Sequence, residues 1–344
     1  LLTAFSFVAV SCSKEGFEPM DNDPTVDEGR LTVVTGADLD GGIVPMNETF
    51  TLSGKAAALS YTYKVYAESP IVNGLQTAAT SVAASGNFVF VSWHTEGAPV
   101  GGAISAYEFN GTDYSYVARV DFDDSDWHDI AVSTSGSDVT IYMAGQRNPD
   151  SSGYLLSTHK GAVVGKLVFN DGGATKFDIA NYEEIPLPSY GANGVVLQGS
   201  NAVITTGNGT GSSSNTGGVY QINTTFDFVD AAYEDADFTD GEFLTIANSE
   251  IYALDREGSS NVELHNASSV AGLVSGAAKI EAAVSTLDNE RNALSDYSTT
   301  SNSGVLAALG TNGIYHAPYA LGSFSQVASL GSAALGVSHD AGNE

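Results

Sequence analysis

Five polar side chains at corresponding positions are the first candidates for a binding site. Each follows two strand-like segments joined by a Gly or Asn turn, as in TSVAASGNFVFVSWH and FLTIANSEIYALDR. The five residues all carry hydrogen-bonding groups but differ in type: His94, Gln146, Asn208, Arg256 and Tyr319. Structural residues at repeated positions tend to be alike, so unlike polar groups favour a ligand-binding face, with simple solvation of loops as the alternative.

Two acidic runs, DFDDSDWHD (121–129) and YEDADFTDGE (233–242), offer oxygen ligands for a metal ion. Closely spaced carboxylates repel one another unless a cation or water separates them, and hard oxygen ligands in a flexible loop suit Ca²⁺. The predicted ligands are Asp121, Asp123, Asp126, Asp235, Asp237 and Asp240. Neither run has the spacing of an EF-hand, so a solvated acidic rim is the alternative.

Catalytic motifs are not evident in the chain. The sequence contains no GxSxG, HExxH or CxxC motif, and its six histidines are scattered. His94, His128 and His316 are the histidines expected to line the face that surrounds the central axis of the fold. No paired acid and base can be recognised among the residues. We therefore predict no catalytic residue, and we expect the protein to bind a ligand and not to catalyse a reaction.

The only cysteine, Cys12, follows the largely apolar residues 1–10 and precedes a polar run. An apolar segment of this length is too short to span a membrane and matches the core of a signal peptide. A lone cysteine cannot form an internal disulfide bond. Its position indicates an attachment point instead of a reactive thiol.

The sequence around Cys12 resembles the lipobox of bacterial lipoproteins over about four residues, with Ala9 where Leu is commoner. The resemblance implies removal of residues 1–11 and acylation of Cys12. Residues 12–30 are acidic and contain Pro, which predicts a flexible tether and resembles surface lipoproteins of Bacteroidota. An outer-membrane location, on the surface or the periplasmic face, follows. Because no Met or basic segment precedes residue 1, we expect the sequence to begin inside the signal peptide.

The hairpin pattern recurs in residues 80–94, 129–146, 194–208, 243–256 and 304–319, at intervals of roughly 50 to 60 residues. Further strand-like segments follow each hairpin. The pattern resembles the β-propeller superfold, which predicts an all-β β-propeller of four-stranded antiparallel blades over residues 31–344, with at least five units and a truncated C-terminus. Two tandem immunoglobulin-like sandwiches are the alternative.

Charge restricts the partners. The chain has 41 Asp and Glu residues against 12 Lys and Arg residues, a net charge of −29. Such a field repels nucleic acid and anionic lipid headgroups, so we expect membrane contact only through the lipid anchor. The main hypothesis is a non-catalytic propeller that binds a protein or polysaccharide ligand. The alternatives are a propeller-fold glycan lyase or hydrolase, and a scaffold of an outer-membrane assembly or secretion complex.

Overall fold

The computed structural model describes residues 28–40, 42–53, 58–95, 100–148, 161–187, 189–207, 217–229, 233–234, 238, 240–257, 261–274, 278–283, 292–298, 303–309 and 312–328. The predictions made for residues 1–11, the lipidation of Cys12, the binding role of Asn208 and the calcium ligands Asp235 and Asp237 fall outside these residues.

The described residues form antiparallel strands almost throughout. Before the repeated sheets come β1 (Leu31–Thr35), β2 (Ile43–Ser53), β3 (Ala58–Ala67) and β4 (Ile71–Val72). The first sheet contains β5 (Leu75–Ser85), β6 (Phe88–Thr95), β7 (Gly102–Phe109) and β8 (Tyr114–Phe122). The second contains β9 (Ser125–Ser135), β10 (Asp138–Arg147), β11 (Ala162–Asn170) and β12 (Phe177–Pro186).

Three more sheets follow in chain order. The third contains β13 (Gly191–Gln198), β14 (Asn201–Gly207), β15 (Gly218–Ile222) and β16 (Tyr233–Glu234). The fourth contains β17 (Gly241–Ala247), β18 (Glu250–Glu257), β19 (Asn261–Ala267) and β20 (Ala278–Ala283). The fifth contains β21 (Asn292–Ser298), β22 (Ser303–Leu309), β23 (Ile314–Pro318) and β24 (Ser325–Ala328).

Among the described residues, helix is confined to short segments. These are the 3₁₀ turns Glu28–Arg30 and Gly36–Asp38 and the helix α1 (Val270–Val274). Across the described ranges, no helix is long and apolar enough to cross a membrane.

The first strands of the five sheets lie side by side. β5 packs against β9, β9 against β13, β13 against β17, and β17 against β21. Within each sheet the other strands follow in chain order, away from these first strands, and in the first sheet the short strand β4 also pairs with the opposite side of β5. Four-stranded antiparallel sheets arranged around their first strands are the blades of a β-propeller, so the predicted fold class is confirmed.

The core consists of layers between neighbouring sheets. Phe90 and Phe169 pack with Ile141 between the first and second sheets, while Tyr142 packs with Ile204 between the second and third. Ile141 and Tyr142 are adjacent in β10, and successive side chains of a strand point to opposite faces. Each inner sheet is therefore buried on both faces, and each large apolar side chain contributes about 2 kcal/mol.

The segment before the sheets does not form an incomplete blade. β1 adds to the outer edge of the first sheet, where Leu31 lies opposite Phe122 and Thr35 opposite Ala118. β2 and β3 form a separate two-stranded hairpin. Pairing at β8 satisfies backbone groups that an open sheet edge would expose.

The fifth repeat was aligned wrongly from the sequence. Residues 304–319 form β22 and β23, the second and third strands of their sheet, whereas the other four hairpins join first and second strands. The first strand, β21, lies earlier in the polar segment NALSDYS. Tight Gly or Asn turns join any two antiparallel strands, so turn chemistry alone does not reveal which pair of the blade is seen.

Candidate functional site

We call the end of the sheets where the first strands begin and the second strands end the axial face. Four first strands carry a β-bulge near this face, because their pairing with the second strand skips a position. The skipped residues are Thr80, His128, Asn193 and the pair Glu242–Phe243. A bulge redirects the extra side chain, and bulges are frequent beside active sites.

Three of these bulge residues make the same contact with the next sheet. The bonds are Thr80 Oγ1 to the carbonyl of Trp127 at 2.6 Å, His128 Nδ1 to that of Ala192 at 3.0 Å, and Asn193 Nδ2 to that of Gly241 at 2.8 Å. Each acceptor directly precedes the bulge of its own strand. We call these bonds the inter-sheet ties. Because a carbonyl only accepts, the Nδ1 of His128 carries the proton and Nε2 keeps its lone pair.

Asp129 joins three sheets just behind the ties. Its Oδ1 accepts hydrogen bonds from Ser81 Oγ at 2.6 Å and from its neighbour's amide, Ile130 N, at 2.9 Å. Its Oδ2 accepts from Val195 N at 2.9 Å. Burial raises the pKa of Asp129 to about 6, although these bonds oppose the shift. With both oxygens engaged, Asp129 is a structural clamp.

Asp126 is anchored through one oxygen only. Its Oδ1 accepts from Thr95 N and Gly101 N, both at 3.1 Å, and from Thr95 Oγ1 at 3.4 Å. No described residue donates a hydrogen bond to Oδ2. The residue is 6% exposed, and burial raises the pKa of its carboxyl to about 7. Asp126 thus holds the ends of β6 and β7 and keeps one oxygen available for a proton.

His128 shows the opposite shift. Burial, together with the neighbouring His94, lowers its pKa to about 4, although the bond to Ala192 and one to Asn193 act the other way. Both histidines are half-buried, and His94 directly precedes Thr95, the residue held by Asp126. Between about pH 4 and pH 7 the site therefore combines a protonated carboxyl with a neutral imidazole.

The predicted binding residues are only partly brought together. His94 and Gln146 lie at the axial face, with Gln146 opposite Asp126 in the strand register. Arg256 also lies at this end but is 9% exposed, and its guanidinium pairs with Asp240 and with Glu242 Oε1, the latter at 3.4 Å. This buried ion pair makes Arg256 a structural residue in place of the predicted ligand contact.

Tyr319 and His316 do not belong to the axial face. Tyr319 follows β23 at the opposite end of the sheet, where its carbonyl accepts from Tyr252 Oη at 3.0 Å. His316 lies on β23, a third strand, opposite Leu306 of β22. Both residues were predicted at the axial face because the fifth hairpin was aligned as a first and second strand, whereas it contains the second and third strands.

The described acidic residues have protein partners where Ca²⁺ was predicted. Asp121 pairs with Arg119, at 2.5 Å from Nε and 2.9 Å from Nη2. Asp126 accepts the bonds given above, and Asp240 pairs with Arg256. Asp123 is exposed. Three of the four described carboxylates are thus engaged by donors of the protein itself.

Buried ion pairs also fix the N-terminal segment onto this face. Arg30 Nη2 lies 2.8 Å from Asp124 Oδ1 and 3.3 Å from Glu184 Oε2. Arg147, at the end of β10, contacts the same two carboxylates at 3.0 and 2.7 Å. Two guanidinium groups shared between two carboxylates hold the segment against the second sheet beside the site.

Thr80, Asp126, Asp129 and Asn193 were not predicted from the sequence in the roles that they have. One signal was present: Asp129 directly precedes the apolar run IAV, and Asn193 lies among small and apolar residues in GANGVV. A polar residue in a buried strand requires a hydrogen-bond partner, which marks it for attention. Its partner lies in another sheet and is visible only in the fold.

No family model matches this chain, and no curated protein matches it. Among solved structures, it is similar to a protein described as a candidate 6-phosphogluconolactonase from Bacteroides uniformis, with 12% identity, a TM-score of 0.47 and coverage of 84% of this chain and 81% of the other.

Two other solved structures are similar at the same level. One is a GH43 β-xylosidase/α-arabinofuranosidase from a compost microbial metagenome, with 10% identity, a TM-score of 0.42 and coverage of 74% and 96%. The other is an exo-β-1,3-galactanase from Phanerochaete chrysosporium, with 12% identity, a TM-score of 0.41 and coverage of 84% and 69%. At these identities no residue role is transferred to this chain.

Proposed function

We propose that the axial face hydrolyses a glycosidic bond of a neutral glycan, with Asp126 as general acid and His128 as general base. The observation that carries the proposal is the one-sided anchoring of Asp126. Its Oδ1 is held by Thr95 and Gly101, and its Oδ2 accepts no bond from a described residue. A carboxyl held in this way keeps its orientation while it exchanges a proton.

In the proposed reaction, the proton on Asp126 Oδ2 passes to the glycosidic oxygen as the bond from that oxygen to the anomeric carbon breaks. His128 Nε2 takes a proton from a water molecule, whose oxygen forms the new bond to the anomeric carbon. The tie to Ala192 leaves the lone pair of His128 on Nε2. The raised pKa of Asp126 and the lowered pKa of His128 support both protonation states in mildly acidic solution.

Charge supports a neutral substrate. The net charge of −29 repels phosphorylated or carboxylated ligands. His94 and Gln146, which lie at the same face, offer hydrogen-bonding groups of the kind that sugar hydroxyls pair with. Non-catalytic glycan binding, the main hypothesis from the sequence, would use the same face without proton transfer.

The test is a screen of neutral polysaccharides and oligosaccharides for release of reducing ends, followed by Asp126→Asn on any substrate that is cleaved. We expect a loss of at least about 100-fold in kcat with the fold retained, and a bell-shaped profile of kcat/KM with limbs near pH 4 and pH 7. The matched control is Asp123→Asn, an exposed carboxyl three positions away, which should leave the rate unchanged.

Two results would count against this assignment. Glycan binding without cleavage by the unmodified protein would identify a non-catalytic binding protein. Cleavage by Asp126→Asn at the original rate would remove Asp126 from the reaction.

We also propose that acylation at Cys12 attaches the domain to an outer membrane, on the strength of the sequence around it. Labelled palmitate should be incorporated by the unmodified protein and not by Cys12→Ser, which should move to the soluble fraction. Equal membrane retention of both proteins would contradict the anchor.

A further inference from the structure

Three buried side chains between the third and fourth sheets form a cluster of metal-binding type. Asp255 lies on β18 directly opposite Glu263 on β19, and His265 lies two residues further along β19. Residues two apart in a strand share a face, so all three point to the same side of the fourth sheet. Their exposed fractions are 0%, 4% and 2%.

One potential ligand atom from each of these residues lies within 4.8 Å of those of the other two. His265 Nε2 is 3.1 Å from Glu263 Oε2. Two ligands bound to one ion at about 2.1 Å are separated by roughly 3.0 to 3.4 Å in octahedral or tetrahedral geometry. The separation of 3.1 Å between His265 and Glu263 falls within this range.

We propose that Asp255, Glu263 and His265 bind a divalent transition-metal ion, with Zn²⁺ as the best match. Two carboxylates and one imidazole are a mixed oxygen and nitrogen donor set, which suits Zn²⁺ better than Ca²⁺, an ion that takes six to eight oxygen ligands. The proposal is independent of hydrolysis at the axial face and differs from the Ca²⁺ predicted in the acidic loops.

The strand register supplies the physical reason for an ion. Like charges directly opposite each other on adjacent strands destabilise a sheet, and burial increases the repulsion. Asp255 and Glu263 are such a pair. A divalent cation between the two carboxylates would attract both of them and remove the repulsion. The imidazole of His265 would be the third protein ligand.

Neighbouring groups orient the ligands as an outer shell would. The amide of Asp240 donates to Asp255 Oδ1 at 2.8 Å, and Lys279 Nζ donates to Glu263 Oε2 at 2.8 Å. The ring of Phe238 lies over His265, with centroids 4.4 Å apart and planes inclined by 31°. Ligands that are themselves held in place bind metal more tightly. Because all three ligands are buried, we expect the metal ion to have a structural role and not a catalytic one.

The experiment measures Zn²⁺ on the full chain after removal of metal with a chelator. We expect one Zn²⁺ per chain by elemental analysis, a rise in Tm on adding Zn²⁺, and weakening of the affinity by more than about 100-fold in His265→Gln and in Asp255→Asn. Asp123→Asn, an exposed carboxylate outside the cluster, is the matched control and should bind Zn²⁺ normally.

The competing explanation is a metal-free network in which Glu263 pairs with Lys279 and with protonated His265. Absence of Zn²⁺ binding by the unmodified chain, or full binding by His265→Gln, would overturn the proposal. A measurement that needs no variant guards against misfolding: Co²⁺ added to the unmodified chain should produce visible absorption bands of nitrogen and oxygen ligation. Their absence would also overturn it.

Discussion

Nδ1 of His128 lies 3.0 Å from the carbonyl oxygen of Ala192 on the neighbouring first strand. This one contact ties the second sheet to the third and also determines which ring nitrogen carries the proton. The same side chain therefore has a structural role at Nδ1 and, in the proposed reaction, a chemical role at Nε2.

The two roles of His128 can be separated by His128→Asn. The amide nitrogen of Asn occupies nearly the position of Nδ1 and keeps a donor for Ala192, as Asn193 does toward Gly241. We expect stability within about 1 kcal/mol of the unmodified protein and a rate at least about 100-fold lower. Urea unfolding and reducing-end assays measure the two quantities. An equal loss in His128→Asn and His128→Gln, with both proteins unfolding early, would indicate a structural role only.

Asp126 should make stability depend on pH. Its folded pKa of about 7 exceeds the unfolded value of about 4, so its contribution is fully present below pH 4 and is lost as the pH rises through 7. Asp126→Asn lacks this pH-dependent contribution to the free energy of unfolding. We expect the free energy of unfolding of Asp126→Asn, relative to the unmodified protein, to rise by about 2 to 3 kcal/mol between pH 5 and pH 8. The shifts of His128 and Asp129 are common to both proteins and cancel, so a constant difference would contradict the shift.

Asp129→Ala should be more destabilising than the loss of any single bond. It removes the acceptor of three donors, two of which are backbone amides inside the propeller. We expect a cost of about 2 to 4 kcal/mol, against about 1 kcal/mol for Ser81→Ala, which removes one bond. Chemical denaturation of both variants at one pH compares them. Similar costs would show that Ser81 alone carries the clamp.

Gly145 should not tolerate a side chain. A Cβ there would lie 2.0 Å from the backbone oxygen of Asp126 and 2.8 Å from Cε3 of Trp127. Because the nearest atom belongs to the backbone of the adjacent strand, we expect Gly145→Ala to cost about 3 kcal/mol or more. Gly172→Ala is the control, since nothing lies within 4 Å of its Cβ position, and it should change stability by less than about 0.5 kcal/mol. Thermal unfolding distinguishes them.

Arg256→Met should destabilise the fourth sheet. The substitution removes the guanidinium from Asp240 and Glu242, two buried carboxylates, and breaking such a pair costs about 3 to 5 kcal/mol. Arg256→Lys keeps the charge but loses the forked geometry, so an intermediate cost is expected. If Arg256→Met instead abolished ligand binding at unchanged Tm, the binding role predicted from the sequence would be correct.

The architecture was predictable because it depends on local signals. Gly and Asn turns between β-rich segments mark hairpins, and their regular spacing indicates repeated sheets. The phase of the fifth repeat was not predictable, since β22 and β23 produce the same hairpin pattern as a first and second strand. Displacement of Tyr319 to the opposite end followed directly from that ambiguity.

The candidate site was predictable only in outline. The position of His94 and Gln146 after a second strand predicted their location at the axial face, and their role in binding a ligand stays a prediction. Arg256 lies at the same end, but its buried ion pair was not predictable, because its partner Asp240 precedes the hairpin and the pairing depends on how the strands fold. The shifted pKa values of Asp126 and His128 arise chiefly from burial in the folded protein, which no local pattern encodes.

The inter-sheet ties use a hydroxyl, an imidazole and an amide to make one bond at three successive junctions. The feature that recurs from blade to blade is therefore a hydrogen-bond donor directed at a particular carbonyl. Thr, His and Asn each supply such a donor. Comparison by residue identity scores these junctions as unrelated, although they are physically equivalent. The internal symmetry at these junctions is one of hydrogen-bond geometry, and residue identities in the sequence do not show it.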